Sequence, residues 1–130
     1  MEKIILDTNF LLIPAQFKVD IYSEIEKLAD FRYELNILDK SIDELNKIAQ
    51  EQKGKVKRDV KLVLSMVEQK IRQGKISIID TPGDDRLVDD IIVSLEKDIV
   101  ATQDIGLQKR LKAKKVKIIS MRQKKYLFFK

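Results

Sequence analysis

The chain has no cysteine and no histidine among its 130 residues. The absence of cysteine excludes disulfide bonds and favours a cytoplasmic location. Because both residues are missing, an ordinary zinc site is also excluded. No apolar run approaches the roughly 20 residues that span a bilayer. No basic region precedes a long apolar segment at the amino terminus, so we expect no signal peptide and no membrane partner.

Charge is distributed unevenly along the sequence. Lys and Arg number 26, Asp and Glu number 21, and 44% of the residues are hydrophobic, as in a globular protein. Every acidic residue lies at or before Asp104, whereas the last 26 residues contain 10 Lys or Arg. A basic surface beside an acidic cluster suits a polyanion whose reacting phosphate is held by a metal ion. The alternative is a solvated surface, which is also common in heat-stable proteins.

Apolar patterning predicts strands that alternate with helices. Short apolar runs and period-two patterns predict strands over residues 3–6, 32–38, 76–79, 99–101, 116–120 and 126–129. Helical spacing predicts helices over 20–28, 41–50, 56–71, 86–97 and 106–113, with a polar connection over 50–55. Such alternation favours a parallel sheet covered by helices and joined by right-handed crossovers. We therefore predict one α/β domain spanning residues 1–130.

Acidic residues follow several of the predicted strands. Asp7 and Asp104 come at the carboxyl ends of strands, and Glu44 and the pair Asp89–Asp90 lie early in helices that follow other strands. In a parallel sheet all of these positions meet at one rim, where ligands of such sheets bind. Like charges gathered there are costly unless a cation neutralises them. Oxygen ligands without sulfur or imidazole predict Mg2+ or Mn2+, which can activate water and clamp a phosphate.

Most of these acids also have a purely structural interpretation. Ser41 and Glu44 have the spacing of a capping box, in which the glutamate caps its own helix. Asp89 and Asp90 suit a helix N-terminus electrostatically, and Asp104 suits the N-cap of the helix after it. The predicted convergence of the whole set, rather than any single acid, therefore favours a metal site.

At these positions the sequence resembles the PIN-domain family of metal-dependent ribonucleases. The resemblance rests on the stretches 6–10 (LDTNF), 42–45 (IDEL), 88–93 (VDDIIV) and 99–104 (IVATQD), which occur in the family's order. The tail from Lys117 to Tyr126 is similar as well. The branch with the most similar motifs is that of the archaeal and eukaryotic small-subunit rRNA-processing endonucleases, but no zinc ribbon is present.

The resemblance implies a three-layer, Rossmann-like α/β/α sandwich with a mainly parallel sheet. It further implies an enzyme that uses Mg2+ or Mn2+ to cleave RNA. The residues that it marks as catalytic and metal-binding are Asp7, Glu44, Asp90 and Asp104, with Asp89 as a further metal ligand.

The same resemblance assigns supporting roles and leaves one ligand open. Asn9 and Thr102 match the family's supporting polar residues and would orient carboxylates by hydrogen bonds. Their alternative interpretation is as ordinary turn residues. The segment between Asp90 and Thr102 is about one helical turn shorter than the family pattern. Asp85, Asp89 and Asp90 are therefore alternatives for the third acidic ligand.

The leading hypothesis is an endoribonuclease that hydrolyses RNA phosphodiester bonds, with rRNA processing as its candidate role. Two alternatives stay open: an RNA-binding or scaffolding domain without turnover inside a ribonucleoprotein, and a VapC-type toxin held by a small antitoxin. A homodimer is a further candidate assembly. Basic side chains would hold the RNA backbone. The expected RNA-binding residues are Lys53, Lys55, Lys57, Arg58, Lys109 and Arg110.

Overall fold

Strands and helices alternate along the chain in the computed structural model, which describes all of residues 1–130. The strands are β1 (Glu2–Leu6), β2 (Tyr33–Leu38), β3 (Ile76–Ile79), β4 (Ile99–Ala101), β5 (Lys117–Arg122) and β6 (Tyr126–Phe129). The helices are α1 (Thr8–Leu11), α2 (Ile13–Phe17), α3 (Ile21–Leu28), α4 (Asp39–Glu51), α5 (Gly54–Arg72), α6 (Val88–Ser94) and α7 (Ile105–Ala113).

All six strands form one sheet in the order β3-β2-β1-β4-β5-β6. The first five strands pair in parallel, and β6 pairs antiparallel with β5. The carboxyl ends of β1, β2, β3, β4 and β5 therefore lie at one edge. The predicted mainly parallel sheet is confirmed. Within the sheet, β1 and β4 lie side by side at the centre.

Alternate residues of the strands enter two separate cores. Ile4 and Leu6 of β1 belong to a cluster that also contains core residues of α1 to α5. Ile5 belongs to a second cluster with Val100 and residues of α6 and α7. Because successive side chains of a strand point to opposite faces, the two clusters cover the two faces of the sheet. The fold is thus the three-layer α/β/α sandwich that the sequence predicts.

Four helices differ from their sequence predictions. Neither α1 nor α2 was predicted, because each is about one turn long and shows no helical period; Pro14 fits the first turn of α2, where no amide donor is needed. α4 begins at Asp39, two residues before its predicted start. The connection to α5 is limited to residues 52–53, because α4 continues to Glu51 and α5 begins at Gly54. α6 covers only Val88–Ser94 of the predicted 86–97, because Leu95 adopts an extended conformation that leads the chain toward β4.

The helices α4 and α5 form a hairpin that extends past the carboxyl edge of the sheet. The two helices pack against each other across the short connection 52–53, as antiparallel neighbours do. α5 ends just before β3, so it returns from the carboxyl edge to the amino edge. Its 19 residues correspond to about 28 Å at roughly 1.5 Å per residue. A strand of six residues such as β2 covers only about 20 Å. The hairpin tip therefore projects beyond the strand ends.

None of the helices combines the length and apolar character needed to cross a bilayer.

Candidate active site

Asp7 is the buried centre of the carboxyl edge. Asp7 follows β1 directly and is only 4% exposed. Its backbone amide donates a hydrogen bond to Ala101 O of the neighbouring strand at 3.0 Å. Oδ1 accepts a hydrogen bond from the Thr8 amide at 2.9 Å and so caps α1. Oδ2 accepts one from Thr102 Oγ1 at 2.7 Å. The carboxylate is thus held rigidly, with donors on both oxygens.

The pKa of Asp7 is raised from 3.8 to about 6, mainly by burial and to a smaller extent by the nearby Asp89 and Glu44 carboxylates. The hydrogen bonds from Thr102 and Thr8 act in the opposite direction, because they stabilise the ionised form. Without a cation, the site therefore accommodates the negative charge of Asp7 poorly. A bound cation would remove this penalty.

Glu44 of α4 is connected to the site by the Thr8 hydroxyl, which also contacts the Ser41 hydroxyl. Thr8 Oγ1 lies 2.7 Å from Glu44 Oε1 and 2.9 Å from Ser41 Oγ. Ser41 is fully buried within α4, whose N-cap is Leu38. The capping-box interpretation of Ser41 and Glu44 is therefore wrong, because the N-cap of the helix lies three residues before Ser41. The glutamate faces the site instead of its own helix terminus.

Asp104 has the capping role predicted for it and also lies at the site. Its Oδ1 accepts a hydrogen bond from the Leu107 amide at 2.8 Å, at the start of α7. Its own amide donates to Thr102 Oγ1 at 3.0 Å. A Cβ at Gly106 would lie 3.2 Å from Asp104 Oδ1, closer than an ordinary contact. The glycine, which weakens α7 by propensity, thus leaves space for this carboxylate.

The paired aspartates of α6 point in different directions. Asp89 lines the same cleft as Asp7, and burial together with Asp104 raises its pKa. Asp90 instead forms an ion pair with Arg110 of α7, in which Arg110 Nη1 lies 2.9 Å from Asp90 Oδ1. Both side chains are nearly half exposed. Asp85 is exposed before the helix and does not line the cleft. Among the three alternatives, the structure brings Asp89 to the other acids.

The loop before α6 is fixed to the start of α4. Asp39 Oδ1 accepts from Thr81 Oγ1 at 2.7 Å, and Asp39 Oδ2 accepts from the Thr81 amide at 3.1 Å. Lys40 Nζ donates to Thr81 O at 3.0 Å. These contacts join the carboxyl ends of β2 and β3, so they help to set where α6 begins and where Asp89 lies.

The acids at this edge line a cleft of about 380 Å3. A larger concavity, of about 710 Å3, lies at the opposite edge beside the amino ends of β1, β2 and β3, far from the acid cluster. No three carboxylates are yet close enough together to hold one ion, as expected of like charges that repel without a cation. The donor set, all hard oxygen, fits Mg2+ or Mn2+. The acids that line the cleft are Asp7, Glu44, Asp89 and Asp104.

The two predicted supporting residues have different surroundings. Thr102 is fully buried and bonds Asp7 and the Asp104 amide, as its predicted supporting role requires. Asn9 lines the cleft, but its Oδ1 accepts a long 3.5 Å bond from the Gln103 amide and contacts no carboxylate. Thr102 is therefore placed to orient two acids, whereas Asn9 is placed at the cleft wall.

The basic residues predicted to hold RNA lie on two elements. The first group lies at the tip of the α4–α5 hairpin, where Lys55 Nζ pairs with Asp59 at 2.7 Å on the exposed surface. The second group lies on α7, where Arg110 pairs with Asp90 and Lys109 is exposed. The hairpin group comprises Lys53, Lys55, Lys57 and Arg58.

Sequence reasoning missed the polar groups that support the acids from behind. Thr8 links Asp7 to Glu44, and Ser41 contacts the Thr8 hydroxyl, but the sequence predicted no role for Thr8 and a helix cap for Ser41. Gln108 is buried and donates from Nε2 to Thr102 O at 2.8 Å. A glutamine on the apolar face of α7 is the signal that could have identified it, because buried polar groups need partners.

The sequence is similar to a known protein family and to a known ribonuclease. A family model described as PIN like domain matches residues 4–124. Ribonuclease VapC4 of Methanocaldococcus jannaschii is 32% identical over 128 residues, which cover 97% of this chain and 95% of that protein.

Two solved structures share the fold. The PIN domain endonuclease Utp24 has a TM-score of 0.78 at 20% identity, over 98% of this chain and 90% of that one. A domain of a functionally unknown protein from Methanocaldococcus jannaschii has a TM-score of 0.63 at 17% identity, over 94% and 92% of the two chains. Because the family model and the VapC4 alignment both span nearly the whole sequence, this chain belongs to the PIN-like domain family.

Proposed function

We propose that this protein is a divalent-metal-dependent endoribonuclease that hydrolyses RNA phosphodiester bonds at the acidic cleft. The observation that carries the proposal is the convergence of Asp7, Glu44, Asp89 and Asp104 on one cleft around a buried carboxylate of raised pKa. The relation to Ribonuclease VapC4 supports RNA as the substrate.

The four acids of the cleft would hold Mg2+ or Mn2+. When bound, the ion supplies positive charge that polarises the phosphate and lowers the pKa of water. Asp7 contributes a carboxylate fixed by Thr8 and Thr102, so little reorganisation is needed to bind the ion. Asp90, the acid favoured by the family pattern, would act at the rim by holding Arg110.

Positive charge on two sides of the cleft would hold the RNA strand. The α4–α5 hairpin tip projects beyond the strand ends with Lys53, Lys55, Lys57 and Arg58. On the other side, Lys109 and Arg110 follow Asp104 within two turns of α7. Cations that neutralise phosphates release counterions, so the affinity for RNA should fall steeply as salt rises.

Metal-dependent RNA cleavage is the direct test of the proposed function. Single-stranded and structured RNA should be cut in the presence of Mg2+ or Mn2+ and left intact in EDTA. In a parallel melting experiment, Mg2+ should raise the melting temperature, because the ion binds the folded acid cluster and not the unfolded chain. RNA that stays uncut by folded protein with a Mg2+-dependent melting shift would replace this proposal with an RNA-binding role.

Thr102→Val should weaken the metal site without removing a ligand. The substitution leaves Asp7 Oδ2 and the Asp104 amide without their shared hydroxyl partner. Loss of such an orienting partner typically costs about 10- to 100-fold in metal affinity or activity. The Mg2+ concentration that gives half-maximal cleavage should therefore rise.

The matched control for this prediction is Thr102→Ser, which keeps the hydroxyl. The serine variant should retain the wild-type requirement for Mg2+, even if removal of the methyl group lowers the melting temperature. An equal rise in the Mg2+ requirement of both variants would mean that packing, rather than the hydrogen bond, sets the effect.

A VapC-type toxin is the second candidate function, favoured by the 32% identity to Ribonuclease VapC4. In that case the partner would be a small antitoxin. Processing of rRNA is the role suggested by the motifs of the sequence, whereas the likeness to Utp24, at 20% identity, concerns the fold alone. Assembly as a homodimer or within a ribonucleoprotein stays a prediction.

A further inference from the structure

A second groove adjoins the acidic cleft at the same edge of the sheet. It has a volume of about 460 Å3 and lies between α1–α2 and the turn that joins β5 to β6. Asn9 lines both this groove and the acidic cleft, so the two are neighbours. No acidic residue lines the groove. Its polar and aromatic lining, here called the amide groove, consists of Asn9, Gln16, Phe17, Gln103, Gln123 and Lys124.

Two amide groups of this groove have donors with no protein partner. Gln103 Oε1 accepts from Ser120 Oγ at 2.8 Å and from the Met121 amide at 2.7 Å, and its Nε2 donates to nothing. Asn9 Oδ1 accepts from the Gln103 amide, and its Nδ2 is likewise free. No buried side-chain polar atom lacks a partner, so both free donors reach solvent. Two short bonds fix the acceptor end of Gln103, which orients its donor, whereas the Asn9 amide has only its long 3.5 Å bond.

Phe17 gives the groove an accessible aromatic ring. The residue is 37% exposed at the end of α2, although Phe is usually buried. The Lys124 Nζ lies 5.8 Å from the ring centroid, and no other cation or aromatic ring covers this ring. A flexible lysine over an exposed ring can move aside, so the ring can receive a flat ligand.

The turn beside the groove retains long polar side chains where the backbone favours glycine. Gln123 and Lys124 have φ angles of 57° and 55°, and the Lys125 amide donates to Arg122 O at 3.2 Å. This is a type I′ turn, for which Asn-Gly and Gly-Gly are the usual pairs. Left-handed backbone at such residues is strained, and strain of this kind concentrates at binding sites. The two side chains are therefore kept at a cost in stability.

We propose that the amide groove binds one unpaired nucleobase of the RNA strand. This inference rests on the proposed function of the adjoining cleft. The Phe17 ring stacks on the base, because any base has a π-face and stacking tolerates different sequences. The free amides of Asn9 and Gln103 donate to acceptors on the base edge. Lys124 pairs with the phosphate of the same nucleotide.

Binding of RNA to variants of the groove tests this inference. All measurements use the Asp7→Asn background with Mg2+, which keeps the RNA intact whether or not the wild type cleaves it. The probe is a short, unstructured, fluorescein-labelled oligoribonucleotide, measured by anisotropy. Phe17→Leu should weaken binding by about 5-fold or more, because stacking on an aromatic ring is lost. The same strand annealed to its complement should bind more weakly than the free strand and should be insensitive to this substitution.

Phe129→Leu is the matched control, because Phe129 is equally exposed, at 38%, and lies outside the groove near the far end of β6. It should leave RNA affinity unchanged. Lys124→Gly gives an independent readout: it should raise the melting temperature by relieving the left-handed turn. It should also weaken RNA binding, because the cation that pairs with the phosphate is lost. A purely structural role would change the melting temperature alone.

The possible outcomes separate this inference from the proposed function. If single-stranded RNA binds and both groove variants weaken it, the inference stands even when the wild type cleaves nothing. If Phe17→Leu and Lys124→Gly bind the strand as tightly as their parent, or if the duplex binds as well as the single strand, the groove does not hold a base. That result would overturn the inference. Metal-dependent cleavage would still be tested separately by the cleavage assay.

Discussion

Asp7→Asn should abolish RNA cleavage and, at neutral pH, make the fold more stable. Cleavage should fall by more than about 100-fold, because loss of even an orienting partner of a metal ligand costs about 10- to 100-fold. Stability should rise because the buried carboxylate is ionised at neutral pH against its raised pKa of about 6. A neutral side chain of the same shape removes that penalty. Opposite changes in activity and stability are the signature of a site that tolerates strain for function.

The gain in stability should depend on pH in a defined direction. The pKa of Asp7 is 3.8 in the unfolded chain and about 6 in the folded protein. The folded state therefore binds the proton more tightly, and the cost of ionising Asp7 is absent below pH 3.8 and complete above about pH 6. The shift of roughly two units corresponds to about 3 kcal/mol as an upper bound. The asparagine also satisfies the Thr8 and Thr102 donors less well, so the measured gain should be smaller.

Denaturant unfolding in metal-free buffer at pH 4 and at pH 7.5 would measure this effect. The difference in free energy of unfolding between Asp7→Asn and wild type should be larger at pH 7.5. Asp20→Asn is the matched control, because Asp20 also caps a helix but its pKa is lowered by hydrogen bonds from Ser23 and Tyr22. That variant should gain nothing at pH 7.5 and should cleave RNA normally. An Asp7→Asn protein that still cuts RNA with Mg2+ would refute the assignment of the site.

Asp89→Asn should reduce cleavage much more than Asp90→Asn. Asp89 lines the cleft near Asp104 and Glu44, so its loss removes one of the oxygen ligands that we propose for the ion. We expect cleavage to fall by more than about 100-fold, by the same reasoning as for Asp7. Asp90 forms an exposed ion pair with Arg110 at 2.9 Å. Pairs of this kind contribute about 0–1 kcal/mol, so Asp90→Asn should change the melting temperature and the cleavage rate only slightly.

Cleavage rates across a Mg2+ titration would compare the two variants directly, since the substitution is identical and the residues are neighbours on α6. Arg110→Gln provides a further control, because it breaks the same ion pair from the other side and should resemble Asp90→Asn in stability. A loss of cleavage with Asp90→Asn and full activity with Asp89→Asn would reverse the assignment. The third acid would then be the one that the family pattern marks.

Much of the site could be predicted from the sequence because it depends on chain order. The apolar runs before Asp7 and Asp104 mark strands, and the alternation of strands with helices makes the sheet parallel. Once the sheet is parallel, residues that follow strands meet at one edge regardless of their separation along the chain. Asp7 and Thr102, which are 95 positions apart, are in hydrogen-bond contact for this reason.

Rotation about helix axes could not be predicted in the same way. Asp89 and Asp90 are adjacent in sequence, but one residue of an α-helix turns the side chain by about 100°. Which of the two enters the cleft depends on how α6 packs on the sheet through its apolar face. The start of α4 at Asp39 similarly decides that Ser41 lies buried against Thr8 rather than capping a helix.

The sequence by itself determined the class of fold, the edge at which the acids gather and the hard, all-oxygen character of the ligand set. Those features follow from local patterning and from composition, which need no coordinates. Only the tertiary structure decided that Asp89 faces the cleft, that Thr8 and Thr102 hold Asp7, and that an amide groove adjoins the acids. These features depend on contacts among segments far apart in the chain, whose relative positions are fixed by packing and carry no local signal.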